Sequence, residues 1–244
     1  MTPRLALATA RRVLSQLRHD PRTVALMLFV PCLLLVLMRY VFDAQPATFQ
    51  RVGAATLGIF PFTVMFVVTS VATLRERTTG TLERLLTMPI AKLDLLSGYA
   101  LAFGLLAALQ SLLASGLTLG LLGLDVGGSA IWVIVVAILA GLLGMALGLF
   151  VSAFAATEFQ AVQFLPAFVL PQLLLCGLFV PRDDMGDVLR WLSTVFPLTY
   201  AVEAMAHVQA GVIDGEFARD IGIIAGAAVL ALGLGAATLR RRTP

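Results

Sequence analysis

The stretch VGAATLGIFPFTVMFVVTSVATLRERTTGTLERLLTMPIAK, Val52–Lys92, carries no charged side chain from Val52 to Leu74, then four basic and two acidic ones from Arg75 to Lys92. A helix needs about 20 predominantly apolar residues to cross the hydrocarbon core of a bilayer. The first part meets that length, whereas charges as dense as those of the second are costly in lipid. A membrane boundary therefore falls near Leu74.

The same test applied outward finds five more segments: Thr23 to Phe42, Leu95 to Leu122, Ile131 to Ala156, Ala161 to Val180 and Ile221 to Leu239. Composition agrees, since 59% of the 244 residues are hydrophobic and 13% charged, with a mean hydropathy of +0.96. The chain reads as an all-α integral membrane protein with six transmembrane helices. An even number of spans puts both termini on one side. Twelve of the 17 lysines and arginines lie on the face holding the N-terminal tail, the loop after Leu74 and the end of the chain. Basic excess marks the cytoplasmic side, so both termini are expected in the cytoplasm.

Two further segments carry helical patterning. From Arg4 to His19, Arg4, Arg11, Arg12, Ser15, Arg18 and His19 fall on one arc, and Ala6, Leu7, Ala10, Val13, Leu14 and Leu17 on the other. This pattern predicts an N-terminal amphipathic helix lying at the membrane interface. Between spans five and six, Pro181 to Asp220 reads as two short helices broken at Pro197 and stopped at Gly211. With Trp191, Phe196 and Tyr200 present, the pair is expected to dip into the outer interface as a re-entrant helical hairpin.

Several chemistries lack their residues. A phosphate-binding GxxxxGK[ST] loop requires a lysine after glycine, and the only lysine, Lys92, follows Ala91. Any ATP must be bound by another polypeptide. Cys32 and Cys176 lie inside apolar runs, which removes a disulfide framework or CxxC metal site. His19 and His207 fall on opposite sides of the membrane, and HExxH and GxSxG are absent. Ser111 and Ser115 in span three have no histidine or lysine within any span to serve as base, so they read as packing serines. The basic excess belongs to the membrane surface and does not imply nucleic acid. Few ionisable groups lie at mid-depth, which weighs against an ion-coupled carrier or channel. That alternative stays open through the helix-breaking Pro31, Pro61, Pro166 and Pro171, as does a non-transporting membrane scaffold.

RERTTGTLERLLTMPI, Arg75–Ile90, closely resembles the stretch after the second span in membrane subunits of the type-2 ABC exporter family, whose pattern runs E-R-E-x-G-T-L-E-x-L-L-x-T-P-I. Glu76, Gly80, Thr81, Leu82, Glu83, Leu85, Leu86, Pro89 and Ile90 fall on it. The departures are Thr78 and Thr79 before Gly80, and Thr87-Met88 before the proline. FPLTYAVEAMAHVQAG is similar to the family's second fingerprint through Pro197, Thr199, Tyr200 and Glu203. The resemblance spans the whole chain, as a single transmembrane domain over 1–244: an amphipathic helix in 1–22, spans one to five with a coupling loop at 75–94 in 23–180, the external hairpin in 181–220, span six at 221–239 and a basic tail at 240–244.

What the resemblance implies is specific. The cytoplasmic loop would carry a coupling helix, from Arg75 to Leu86, docking on a cytosolic ABC ATPase subunit, two per complex, that holds ATP and Mg. Glu76, Arg77, Glu83 and Arg84 would make polar contacts there, Leu82, Leu85 and Leu86 would pack, and Gly80 and Thr81 complete the motif. A second membrane subunit, identical or homologous, would complete a path in the bacterial plasma membrane for hydrophobic or amphipathic cargo such as a drug, lipid or glycolipid. Candidate path residues are Phe62, Thr63 and Phe66 in span two and Gln163, Phe164, Phe168 and Gln172 in span five; the alternative is that these phenylalanines face lipid or a neighbouring helix. Pro197, Tyr200 and Glu203 are candidates for an external gate, with Glu203 and His207 able to meet on one helix face or simply face water. Gly141, Gly144 and Gly148 in span four form a small-residue face for close packing.

Overall fold

The computed structural model describes residues 3–81 and 92–238. These form nine α-helices: α1 (Pro3–Arg18), α2 (Pro21–Val41), α3 (Pro46–Thr78), α4 (Lys92–Gly120), α5 (Ala130–Ser152), α6 (Glu158–Leu175), α7 (Asp187–Val195), α8 (Pro197–Ala210) and α9 (Gly215–Thr238), with a short 3₁₀ turn at Arg182–Asp184. Six of them, α2, α3, α4, α5, α6 and α9, are long and apolar enough to cross a membrane. Their boundaries follow local chemistry. Asp20 caps α2, accepting from the Thr23 N–H (3.2 Å) and hydroxyl (2.7 Å), with Pro21 in the first turn. Asp214 does the same for α9 through Glu216 N (3.0 Å) and Phe217 N (3.1 Å), so that helix begins several residues before the expected span and takes in Arg219 and Asp220. Gly211, at φ 75°, ends α8 in the left-handed conformation that glycine adopts without strain.

The core is the contact between α3 and α5, the most extensive helix–helix interface in the structure. Gly144 lies so close to α3 that a Cβ there would run into the Phe62 carbonyl, and one on Gly148 would meet the Phe66 carbonyl and the Thr69 hydroxyl. Thr69 Oγ1 donates to the Met65 carbonyl (2.6 Å) within α3 and reaches the Met145 carbonyl of α5 (3.2 Å). In hydrocarbon, with no hydrophobic force to draw helices together, small residues and interhelical polar contacts supply the packing. Around this seam α8 and α9 pack on one side, α1 and α4 on the other, and α2 and α6 remain largely uncovered.

Two elements differ from expectation. The helix expected to start afresh at Arg75 does not: α3 continues through Arg75, Glu76 and Arg77 to Thr78 and stops at Thr79–Gly80. Thr79 hydroxyl and N–H both turn back to the Arg75 carbonyl (2.8 and 3.0 Å), and Gly80 takes φ 70°. The remainder of the expected coupling helix falls in 82–91, outside the described residues. The second hairpin helix, α8, is also more enclosed than an interfacial helix, burying Leu198, Thr199, Ala201, Val202, Ala204, Met205 and Val208. Only α7, with Val188, Leu189 and Trp191 exposed, keeps an open apolar face.

Gly144→Ala should destabilise the protein by about 2 kcal/mol through overpacking, seen as a lower unfolding midpoint in detergent. Gly226→Ala, where nothing lies within 4 Å of the added carbon, should leave the midpoint in place. Equal midpoints for both variants would dissolve the claimed seam.

Candidate functional site

The charged turn after span two is tied to the rest of the bundle from the inside. Arg12 of α1 grips Glu76 with two parallel hydrogen bonds, Nη1 to Oε1 (2.8 Å) and Nη2 to Oε2 (3.0 Å). The Tyr99 hydroxyl of α4 donates to Glu76 Oε2, and lies 3.5 Å from Arg12 Nη2. Gln16, with its amide nitrogen toward Glu76, donates to Oε1 (2.9 Å) and accepts from Arg12 Nη1 (3.1 Å). Glu76 is only 8% exposed. Burial alone would lower the pKa of the Arg12 guanidinium, but the Glu76 carboxylate outweighs it and raises the pKa above its usual value. Forked guanidinium–carboxylate geometry of this kind combines strength with orientation.

This cluster exists because α1 lies close against α4. A Cβ on Gly98 would collide with the Thr9 side chain and sit 2.8 Å from the Ala6 carbonyl. Of the apolar arc read in α1, Ala6, Ala10 and Val13 are buried against protein, while Leu7 stays 62% exposed. Two neighbours complete the junction. Arg75 forks onto Glu158 at the start of α6 (2.7 and 3.0 Å), both side chains being about half exposed. Arg77 donates to the Ser152 carbonyl at the end of α5. The end of α3 is thus linked to α1, α4, α5 and α6 by side chains of three consecutive residues.

Of the residues assigned to ATPase contacts, Glu76 and Arg77 are engaged by the chain's own helices. Gly80 has open space around it, and Thr81, partly buried, lies with its hydroxyl 3.1 Å from that of Thr79. Leu82, Glu83, Arg84, Leu85 and Leu86 lie outside the described residues. Arg12 and Tyr99 escaped the sequence reading because no local spacing relates positions separated by 64 and 23 residues.

The candidate path divides. Phe62 and Phe66 are fully buried, in one cluster with Ala137, Ala140 and Leu143 of α5 and Ala201 of α8, because the glycines of α5 bring that helix against their backbone. The less enclosed side of α3 carries Thr63, Val67 and Val71 instead. On α6, Phe164 and Phe168 meet edge to face, with centroids 6.0 Å apart at 72°. Gln163 is exposed. Gln172 is buried, donating to the Phe168 carbonyl (2.9 Å) and accepting from Leu198 N (3.4 Å) in the first turn of α8. It joins α6 to α8.

At the opposite end, Glu203 pairs with Arg182 (2.7 Å), whose guanidinium stands 5.8 Å from the centroid of the Tyr200 ring. Tyr200 donates to the Thr194 carbonyl (2.9 Å), fastening α7 to α8, and Pro197 begins α8. The three gate candidates therefore share one corner, beside a cavity of about 310 Å³ lined by Arg51, Ala54, Cys176, Arg182, Val202 and Glu203. His207, instead of meeting Glu203, points its Nε2 to within 3.9 Å of the buried Asp220.

The family model described as ABC-2 type transporter matches residues 4–210. Among curated proteins, the chain is 26% identical over 206 residues to the probable multidrug ABC transporter permease YbhS of Escherichia coli K12, covering 84% of this chain and 55% of that protein. It is 29% identical over 170 residues to the inner membrane transport permease YhhJ of the same organism, covering 68% and 44%. ABC transporter G family member 20 of Dictyostelium discoideum matches at 24% over 142 residues, 58% of this chain and 20% of that protein. The chain thus spans about half the length of the first two relatives or less.

A double-mutant cycle with Arg12→Ala and Glu76→Ala should return a coupling of about 2 kcal/mol, because removing either partner strands a largely buried charge. The matching cycle on the exposed Arg75–Glu158 pair should return about 0.5 kcal/mol. Chemical unfolding in detergent measures both, and equal small couplings would remove the inner tie.

Proposed function

The chain belongs to the ABC-2 type transporter family, and on that footing we propose that it is the membrane permease part of an ATP-driven exporter whose ATP and Mg are held by separate cytosolic ABC ATPase subunits, two per complex. In this reading the protein sits in a bacterial plasma membrane with both termini in the cytoplasm. Residues 1–244 act as one transmembrane domain, α1 lies at the inner interface, and α7 and α8 form the external hairpin. The observation that carries the proposal is the continuity of α3. One 33-residue helix runs from Pro46, near the hairpin end, to Thr78, beside the charged turn. A force applied at the turn acts on α3 directly and on α1 and α4 through Glu76.

Coupling then divides into two layers. Leu82, Leu85 and Leu86, with Glu83 and Arg84, form the outward contact with the ATPase, and Gly80 with Thr81 provides the turn that presents them. Glu76 and Arg77 act inward, holding the helices that the contact moves. Rim charges give orientation more than affinity, so the leucines dominate docking.

A second membrane subunit follows from the uncovered helices. Gln163 presents an exposed amide on α6, and polar side chains within spans seek partners across helices. The second subunit covers α2 and α6 and encloses a path edged by Thr63, Phe164 and Phe168, suited to hydrophobic or amphipathic cargo. The name of one relative, probable multidrug ABC transporter permease, supports that class. Pro197, Tyr200 and Glu203 form the outer gate.

Affinity purification of the tagged protein in mild detergent should retain a P-loop ATPase in stoichiometric amount. Leu85→Asp with Leu86→Asp should lose it while membrane insertion persists. Absence of any ATPase, even after crosslinking, would overturn the exporter reading in favour of ion-driven transport.

A further inference from the structure

A second cavity, of about 410 Å³, opens at the end of the bundle that bears α1. Its walls come from α1, α2, α3 and α4, and its volume lies within the range of small-molecule sites. Its lining is divided. One part is apolar, with Val67, Val68, Val71 and Ala72 of α3 facing Leu17 of α1 and Phe103 of α4. The other is polar, with Asp20, Thr23, Gln16 and Tyr99 beside Arg75 and Glu76.

Charge in this lining is unbalanced. Glu76 is neutralised by Arg12, and Arg75 by Glu158. Asp20 accepts from Thr23; Arg75 and Arg22 act on it through space, but among the described residues no arginine reaches it at ion-pair distance. Those Thr23 hydrogen bonds lower the Asp20 pKa, so the carboxylate is charged at neutral pH. The cavity therefore combines an apolar wall with a carboxylate at its polar end that has no ion-pair partner among the described residues.

We infer that this cavity binds a lipophilic monocation, its apolar body against Val67, Val71 and Phe103 and its charge toward Asp20. Anions of the same shape are disfavoured, because Asp20, the lining carboxylate with no ion-pair partner among the described residues, stands at the polar end. Asp20 lies at the boundary between the surface helix α1 and the first span, which suits a ligand arriving from the adjoining leaflet. As a loading site for cargo, the assignment rests on the exporter reading; as a binding site, it does not.

The test uses the full-length protein in neutral-lipid nanodiscs, with tetraphenylphosphonium as probe and tetraphenylborate as its isosteric anion, each followed by equilibrium dialysis against empty nanodiscs. Saturable binding of one phosphonium per chain is expected, with no competition from the borate. Asp20→Asn keeps a good helix cap and removes the charge; it should weaken binding about fivefold, a modest loss because the charge is exposed. Val71→Trp should fill the apolar part and abolish binding. Equal affinity of both ions, or phosphonium binding unchanged in either variant, would overturn the site. Pulldown of the ATPase by the same preparations separates the two readings: binding without an ATPase keeps the site and discards the exporter, whereas an ATPase retained without binding discards the site alone.

Discussion

The rest of the structure depends on how closely α3 and α5 approach. Gly144 and Gly148 let the backbone of α3 rest on that of α5 at Phe62 and Phe66, and this contact fixes which way each residue of the longest helix faces. Once those turns are buried, Thr63, Val67 and Val71 must look elsewhere, and the helix cannot rotate without driving carbonyl groups into side chains. Dispersion forces are short-ranged, so tight apposition over several turns holds a pair of helices in lipid where apolar area alone would not.

Rigidity at the seam gives meaning to the two ends of α3. At one end its apolar surface supports α8, where Gly58 allows the Ala201 backbone to approach to 3.5 Å of an added Cβ. At the other, Arg75, Glu76 and Arg77 each reach a different helix. The helix is a strut between the hairpin and the charged turn. Of its three terminal contacts the Arg75–Glu158 pair is exposed, whereas the Glu76 carboxylate is shielded from water, and shielding is what makes a charged contact strong and costly to break.

Span number and approximate position were legible in the sequence because an apolar run near twenty residues has few other uses. The stop at Gly211, the break at Pro197 and the small-residue face of α5 were equally plain, each resting on local chemistry. Facing was not. Periodicity reveals a buried side only when the opposite side is polar, and α3 is apolar around its whole circumference, so Phe62 and Phe66 looked as available as Thr63. Gln172 looked like a path residue because the sequence cannot show Leu198 N–H beside it. Continuation of α3 past Leu74 was obscured for a related reason: charge marks where lipid ends, and a helix does not have to end there. The Arg12–Glu76–Tyr99 cluster joins three separate stretches of chain, and nothing in the spacing of any one of them announces the others.

The seat of α1 bears on how the protein is made. Its docking surface is built from α4, through Gly98 and Tyr99, and from the far end of α3. A ribosome produces α1 some sixty to ninety positions before these residues, so the helix cannot take its seat until the start of α4 has been made. Through that interval Ala6, Ala10 and Val13, buried in the finished fold, are without their protein neighbours. Closure of the full cluster, Arg12 on Glu76 with Tyr99 beside them, is then bound to be late in synthesis, since its last member belongs to α4.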